Sequence, residues 1–217
     1  MKETFTITPI VKSFIFVVTH LWVDEVTGLK NLPRDGAFII APNHSSYIEH
    51  VIIGSIVLSH RLKRLYFIAK KEHFESLYQQ SWHGLWDNYV TYIPIDRNQG
   101  EKALEKTLAY LKKGAVIVIY PEGTRTLTGK IQKGKTGVAR LALGAKVPVI
   151  PLGIIGTFEI LPKGKRIPTL KKAKLHFGEP MYFDKYYNKK ITKKLLRKIT
   201  NDIMGKIAKL SNQKYNF

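Results

Sequence analysis

A histidine and an acid five residues further on are the side chains of this sequence best spaced for chemistry. They lie in residues 43–49, which read Asn-His-Ser-Ser-Tyr-Ile-Glu and follow an apolar run typical of a buried strand. In the first turn of a following helix, Glu49 can accept a hydrogen bond from His44, which orients the imidazole and makes its other nitrogen more basic. Such a pair can deprotonate a substrate hydroxyl without a protein nucleophile. A histidine and a serine before a helix also suit an N-cap, which is the alternative interpretation.

A charged pair follows a second predicted strand, where residues 92–97 read Tyr-Ile-Pro-Ile-Asp-Arg. The planar guanidinium of Arg97 can bind a phosphate group through two parallel hydrogen bonds. It can also form a surface ion pair with Asp96 that caps the next helix. The sequence therefore marks Arg97 as a candidate anion ligand and leaves the ion pair as the alternative.

A third polar segment, residues 120–126, reads Tyr-Pro-Glu-Gly-Thr-Arg-Thr after a continuous apolar run. Gly123 permits close approach to the backbone. Glu122 is expected to hold the guanidinium of Arg125 in a fixed geometry for an anion. The positive potential is raised by three nearby lysines, Lys130, Lys133 and Lys135. An ordinary Pro-Glu-Gly turn is the alternative.

A fourth segment, residues 147–153, reads Val-Pro-Val-Ile-Pro-Leu-Gly and has no titratable group. It is therefore interpreted as a core strand. Its two prolines predict an edge position or a β-bulge, because proline cannot donate to a sheet ladder.

The elements that must position these segments alternate along the chain between short β-type runs and longer helical patterns. This alternation predicts an α/β layered sandwich with a largely parallel central sheet flanked by helices. Strands are predicted at 37–41, 65–69, 90–93, 115–120, 147–152 and 173–177, and helices at about 47–59, 100–112, 134–144 and 192–210. Active sites of such sheets gather at the strand ends, where the polar segments lie.

The N-terminal segment, residues 1–25, is predicted to be distinct from a single domain over residues 26–217 that ends in a basic helix. Its apolar stretch is interrupted by Pro9, Lys12 and His20, and the charge-free remainder is too short to span a membrane. One helical face collects five apolar residues, Ile10, Phe14, Val17, Val18 and Leu21. This face predicts a helix lying in the membrane interface, and packing on the domain core is the alternative.

The chain is strongly basic, with 36 lysine and arginine residues against 16 acids and a net charge of +20. Between Lys163 and Lys214, 16 basic residues face only three acids. Such a surface attracts acidic lipids, phosphorylated substrates, acyl carriers or nucleic acid, and a solvated lysine-rich surface is the simpler alternative. No nucleic-acid motif is present, so no nucleic acid is expected as a partner.

Composition and spacing exclude several other kinds of chemistry. The sequence has no cysteine, which excludes disulfides and a thiol nucleophile. It has no Walker-type loop and no dinucleotide glycine fingerprint. Its seven histidines show no zinc-ligand spacing, so neither a metal nor a cofactor is expected.

The order of the four segments resembles the glycerolipid acyltransferase family, and most of all its bacterial 1-acylglycerol-3-phosphate acyltransferases. The likeness runs from about residue 26 to residue 180 and includes a lead-in at 26–33 and residues 69–72, which read Ala-Lys-Lys-Glu. Four motifs in the same order over that length are highly specific. The family's N-terminal membrane helix would correspond to about residues 10–23.

This resemblance implies transfer of a fatty acyl group from acyl-CoA or an acyl carrier protein to the free hydroxyl of 1-acylglycerol-3-phosphate, which gives phosphatidic acid. It implies that His44 is the base and that Glu49 orients it. The family's substrate-binding positions map to Lys70, Arg97, Glu122, Gly123, Thr124 and Arg125. The resemblance implies no metal or cofactor. It implies a peripheral or monotopic enzyme on anionic lipid at the cytoplasmic face of the membrane.

Two positions depart from the family pattern. Glu49 stands where the family usually has an aspartate, so the extra methylene predicts a shifted backbone or another rotamer at the contact with His44. Residues 88–91 also lack the family's usual glycine before the Ile-Asp-Arg segment. These departures leave two alternatives, acylation of another lysophospholipid and a catalytically weak basic relative that binds membranes.

Overall fold

The computed structural model describes residues 7–61, 64–70, 89–95 and 100–217. Its strands are β1 (Val23–Thr27), β2 (Phe38–Pro42), β3 (Leu65–Lys70), β4 (Val90–Ile95), β5 (Val116–Val118), β6 (Val149–Ile155) and β7 (Ala173–Phe177). Within the described residues they form one sheet in the order β1-β7-β6-β2-β5-β3-β4. Strands β6, β2, β5, β3 and β4 are parallel, and β7 runs antiparallel to β6 with β1 parallel to β7. The predicted α/β fold with a largely parallel sheet is confirmed.

Helices cover both faces of this sheet. They are α1 (Pro9–Trp22), α2 (Ile48–Arg61), α3 (Gly100–Lys112), α4 (Gly137–Ala145), α5 (Thr157–Ile160) and α6 (Lys193–Leu210), with short 3-10 turns at Leu29–Asn31 and Asp184–Tyr186. Helices α1, α2 and α5 pack in a core on one face, and α3, α4 and α6 pack in a second core on the other. Because both faces are covered, β2 and β5 are continuous apolar runs.

Strand β1 was not expected from the sequence. It lies at the edge of the sheet, where Asp24 and Glu25 point to Lys174 of β7 at 3.4 and 3.2 Å. Charged side chains are usual on an edge strand, since they discourage pairing with another chain. The strand crosses residue 25, so the N-terminal segment and the following domain share one sheet.

The edge position predicted from the two prolines of residues 147–153 is wrong. Strand β6 lies between β7 and β2, and Pro151 is paired with Ala41 in the register of β2. The carbonyl of Pro151 accepts a hydrogen bond from the N–H of Gly178 at 2.8 Å, just beyond the last residue of β7. The nitrogen of Pro151, which has no hydrogen to donate, therefore faces the residues just beyond the end of β7. No hydrogen bond within the β6–β7 ladder is lost there.

Helix α1 is present, but its predicted apolar face is divided between two environments. Val11, Ile15 and Val18 are buried in the core, whereas Ile10 and Val17 are exposed together with Phe16. The inclusion of Val18 in an outward face was therefore wrong, because α1 packs on α2 through that side. Among the described residues, no helix combines the length and apolar character needed to cross a bilayer.

Candidate active site

The parallel strands bring distant segments to one edge of the sheet. The carboxyl ends of β2, β5 and β6 lie side by side and lead into His44, residues 120–126 and Thr157, respectively. Lys70 is the last residue of β3 at the same edge, and its side chain is outside the described part of the structure. Arg97 is also outside the described residues. Their predicted roles as substrate ligands stay predictions.

The imidazole of His44 is held on two sides. Its Nδ1 lies 2.7 Å from Oε2 of Glu49, whose side chain is fully buried. The ring of Tyr120 stacks on it, with centroids 3.7 Å apart and planes inclined by 22°. Because a carboxylate oxygen accepts, the Nδ1 position donates in this contact. Nε2 then has a free lone pair and no hydrogen-bond partner among the described residues.

The second oxygen of Glu49 is fixed by a cluster of donors. Oε1 accepts from the N–H groups of Ser45 and Ser46, each at 2.9 Å. The hydroxyls of Ser45 and Thr157 approach it at 2.9 and 2.7 Å. These two hydroxyls also lie 2.9 Å from each other, but two protons can satisfy only two of the three contacts. Glu49 is also in the first turn of α2, where the helix dipole favours a carboxylate.

The longer glutamate side chain is therefore accommodated. The contact between His44 and Glu49 is a normal short hydrogen bond, and the spare carboxylate oxygen fills a pocket of donors that closes around it. Most of these donors come from residues 45 and 46, directly before α2. Glu49 therefore contacts both the imidazole and the loop that precedes the helix.

Glu122 does not hold Arg125, contrary to expectation. Its Oε1 accepts the backbone N–H of His44 at 2.8 Å. Its Oε2 accepts the backbone and side-chain N–H groups of Gln132 at 2.8 and 3.2 Å. Both residues belong to the described chain, and no ion pair joins Glu122 to Arg125 there. Burial raises the pKa of Glu122 from 4.5 to about 7, although its hydrogen bonds lower it.

Arg125 is buried beside the histidine segment. Its guanidinium carbon lies 3.2 Å from the centre of the Tyr47 ring, a stacked cation–π contact. Its Nη1 is buried and has no hydrogen-bond partner among the described residues. Burial also lowers the pKa of Arg125 from its usual value. A buried guanidinium nitrogen without a partner is costly, so this atom is suited to bind an anion that enters the site.

The histidine segment and residues 120–126 are joined by two hydrogen bonds in opposite directions. The N–H of His44 donates to Glu122, and the carbonyl of His44 accepts the N–H of Thr126 at 2.9 Å. Both bonds fix the backbone of the candidate base relative to the candidate anion ligand. The two motifs therefore form one rigid unit.

Gly123 and Thr124 shape the turn of this unit. Gly123 has a φ of +71°, and a Cβ atom there would lie 3.0 Å from the side chain of Lys135. The side chain of Thr124 is exposed, and its carbonyl accepts a hydrogen bond from Gln132 at 3.1 Å. The structure thus places Gly123 where a side chain would be strained. Their predicted part in substrate binding stays a prediction.

Four residues of the site were missed by the sequence analysis as functional candidates: Tyr47, Tyr120, Gln132 and Thr157. Tyr120 has a buried hydroxyl without a partner in the described chain, and burial raises its pKa, so it remains a donor. Tyr47 lies between His44 and Glu49, and Tyr120 lies two residues before Glu122. This closeness in sequence to the motif residues was the one signal that could have marked the two tyrosines as functional. Thr157 follows strand β6 and Gly156. It lies next to Glu49 because β6 pairs with β2, and the sequence does not show that pairing.

The described residues contain no group of histidine, cysteine or acidic side chains arranged to hold a metal ion. The arrangement of His44, Glu49 and Arg125 instead provides an oriented imidazole and a buried cation. Together these groups can remove a proton from a hydroxyl and bind an anion.

Comparisons with known proteins agree with this chemistry. A family model described as acyltransferase matches residues 3–155. The 1-acyl-sn-glycerol-3-phosphate acyltransferase of Bacillus subtilis is 31% identical over 159 residues, which cover 73% of each chain. The enzyme of the same name from Pseudomonas aeruginosa is 34% identical over 133 residues, 59% of this chain and 48% of that protein.

A solved structure extends the likeness to the fold. The crystal structure of the 1-acyl-sn-glycerophosphate acyltransferase PlsC from Thermotoga maritima superimposes with a TM-score of 0.68 at 26% identity. The match covers 94% of this chain and 79% of that one. From the family model, the Bacillus subtilis relative and the shared fold it follows that this chain belongs to the acyltransferase family that includes the 1-acyl-sn-glycerol-3-phosphate acyltransferases.

Proposed function

We propose that this protein transfers a fatty acyl group to the free hydroxyl of 1-acylglycerol-3-phosphate and so forms phosphatidic acid. The names of its relatives support this acceptor. The observation on which the proposal rests is the imidazole of His44, held through Nδ1 by Glu49 with Nε2 free, next to a segment that buries Arg125 with its Nη1 unpaired among the described residues.

In this mechanism Arg125 binds the phosphate of the acceptor and brings the hydroxyl to Nε2 of His44. Nε2 removes the hydroxyl proton while the oxygen attacks the carbonyl carbon of the acyl thioester. The carbon–sulfur bond of the resulting tetrahedral intermediate then breaks, and the thiolate takes the proton from Nε2. Glu49 stabilises the imidazolium that exists between the two proton transfers. Arg97 and Lys70 are proposed to add positive charge around the same phosphate.

The oxyanion of the intermediate needs a hydrogen-bond donor. The N–H groups of His44, Ser45, Ser46 and Gly123 are all engaged, the first three by glutamate oxygens and the last by the carbonyl of Tyr120. The buried hydroxyl of Tyr120 has no partner in the described chain and lies on the ring stacked against His44. We assign this hydroxyl as the candidate oxyanion donor.

The acyl donor is proposed to be acyl-CoA or acyl carrier protein, and the site of action a membrane surface. Both donors are thioesters found in the cytoplasm, which is the basis for placing the enzyme at the cytoplasmic face. The long-chain acceptor resides in lipid, so a protein that uses it must approach the bilayer. The net charge of +20 favours anionic lipid.

The test is product analysis by mass spectrometry with a panel of lysophospholipids, offered with acyl-CoA or with acylated carrier protein. We expect phosphatidic acid from lysophosphatidate and little product from acceptors without a terminal phosphate. His44→Ala should lower the rate by about 1000-fold, within the range of general-base catalysis. His60→Ala, an exposed histidine of α2, is the matched control. Near-normal turnover by His44→Ala would refute the assignment of the base.

A further inference from the structure

The loop between α5 and β7 exposes both apolar and cationic side chains. It comprises residues 161–172, which read Leu-Pro-Lys-Gly-Lys-Arg-Ile-Pro-Thr-Leu-Lys-Lys, and we name it the cationic loop. Ile167 and Leu170 are 83% and 74% exposed, the highest values among large apolar residues of the described chain. Burial of these two exposed aliphatic side chains against a partner would be favourable, because it removes apolar surface from water.

The charge of the loop has one sign. Five exposed cations surround the two aliphatic residues, Lys163, Lys165, Arg166, Lys171 and Lys172. The loop contains no acid, and none of these cations forms an ion pair within the described residues. Exposed aliphatic groups among unpaired cations are complementary to a partner that has an anionic surface layer over an apolar interior. An acidic lipid bilayer has this chemistry.

The loop has a defined shape. Thr169 closes it by two hydrogen bonds at 2.9 Å, from its N–H to the carbonyl of Ile160 and from its hydroxyl to the carbonyl of Glu159. A hydrogen bond closes a turn within the loop, in which the N–H of Lys165 donates to the carbonyl of Pro162 at 3.1 Å. Because its base is fixed, the loop presents Ile167 with a smaller ordering cost on binding than a free segment would have.

The loop is connected to the catalytic motif at one end and to α1 at the other. The hydroxyl of Ser46 donates to the carbonyl of Leu161 at 2.7 Å, and Ser46 forms a β-bridge with Pro162. The indole N–H of Trp22, the last residue of α1, donates to the carbonyl of Thr169 at 2.9 Å. The loop therefore lies between the His44 motif and the helix whose outer side exposes other apolar residues, Ile10, Phe16 and Val17.

We propose that the cationic loop is a membrane-docking element that inserts Ile167 and Leu170 into the interface of an anionic bilayer. Its lysines and arginine bind the acidic headgroups, and its two aliphatic side chains enter the boundary of the acyl chains. Since the loop is bonded to Ser46, docking places the bilayer surface next to the segment that contains His44. A lipid acceptor then needs to rise only a short distance from the membrane. This last consequence rests on the proposed function, whereas the docking itself does not.

The docking is tested with the full chain and lipid vesicles. The variants are Ile167→Asn with Leu170→Asn, and Ile191→Asn as the matched control. Ile191 is 52% exposed, follows Lys190 and precedes Thr192, the N-cap of α6, which packs on the opposite face of the sheet. All three side chains are exposed, so the variants are expected to keep the wild-type melting temperature.

Partition coefficients are measured on vesicles of phosphatidylcholine alone and of phosphatidylcholine mixed with phosphatidylglycerol. We expect the wild type to prefer the mixture, the loop variant to lose about tenfold in partition coefficient, and Ile191→Asn to match the wild type. Wild-type binding by the loop variant would overturn the proposal. So would a change of oligomeric state in that variant with unchanged vesicle binding, since the loop would then be an interface between copies.

A second measurement separates failure of docking from failure of the proposed reaction. Acyl transfer is compared for a long-chain acceptor embedded in mixed vesicles and for a short-chain acceptor that is monomeric in water. The loop variant should lose about tenfold with the embedded acceptor and keep the wild-type rate with the soluble one. Equal losses with both acceptors would overturn the docking role. Absence of transfer by the wild type would instead refute the proposed function and leave the vesicle-binding result standing.

Discussion

The segments at 43–49 and 120–126 each contain a buried glutamate, but the two glutamates act on different parts of the molecule. Glu49 accepts from donors of its own segment and from Thr157, and its other oxygen holds the imidazole of His44. Glu122 accepts only from N–H groups, those of His44 and Gln132. Glu49 therefore orients the base, whereas Glu122 fixes the backbone on which the base is mounted.

The difference shows that position in a motif does not define a residue's contribution. Both glutamates follow a buried strand and lie near a basic or imidazole group in sequence. Only the donors around each one reveal whether it acts on a reactive side chain or on the scaffold. Substitutions at the two sites should accordingly affect different measured quantities, catalysis for the Glu49 network and stability for Glu122.

The largest effect expected from the contrast between the two glutamates is on stability at Glu122. Since burial raises its folded pKa from 4.5 to about 7, the folded state binds more protons than the unfolded state between these values. The free energy of unfolding should fall as the pH rises through this window, by about 3 kcal/mol from this group. Glu122→Gln should remove that dependence in urea denaturation across the window. A difference between wild type and variant that does not vary with pH would contradict the buried, proton-binding role.

The next effect separates binding by residues 120–126 from chemistry by residues 43–49. Arg125→Ala should raise the KM for lysophosphatidate about 100-fold with a much smaller change in kcat, because a charge-assisted contact to the phosphate is lost. Arg140→Ala, an exposed arginine of α4, is the control in the same steady-state assay. A selective loss of kcat, with KM unchanged, would move Arg125 from anion binding to the chemical step.

A smaller effect is expected from Thr157, which supports Glu49 from another strand. Thr157→Val removes the hydroxyl donor to Oε1 and should lower kcat about tenfold while the acceptor KM stays the same. Thr157→Ser retains the hydroxyl and should restore kcat. If the serine variant is as slow as the valine variant, packing of the methyl group, and not the hydrogen bond, is what matters there.

The helices and most strands could be predicted because their signals are local. The bounds predicted for β7 and α3 coincide with the observed ones, since an alternating run and an amphipathic run each end at turn residues. Strand β1 was missed because its five residues include two acids and have little apolar character. The two prolines of residues 147–153 wrongly predict an edge position because a sequence does not show which strands become neighbours.

The same distinction between local and distant contacts applies to the site. The contact of His44 with Glu49 joins residues five apart, so spacing alone made it foreseeable. The contacts of Glu49 with Thr157 and of Glu122 with His44 join residues 108 and 78 apart. They depend on the order β6-β2-β5, which hydrophobic periodicity does not encode. The predicted pair of Glu122 with Arg125 does not form for this reason. The carboxylate of Glu122 instead accepts the backbone N–H groups of His44 and Gln132.

The proposed mechanism requires that Glu49 fixes the proton of neutral His44 on Nδ1 and leaves Nε2 as the base. Nitrogen-15 NMR of the histidine ring measures this directly, with His44→Ala used to assign the signal and Glu49→Gln to perturb it. We expect a protonated Nδ1 and an unprotonated Nε2 in the wild type, and a mixture of tautomers in Glu49→Gln. A wild-type ring with its proton on Nε2 would contradict the proposed mechanism, because that nitrogen would then have no lone pair with which to accept the hydroxyl proton.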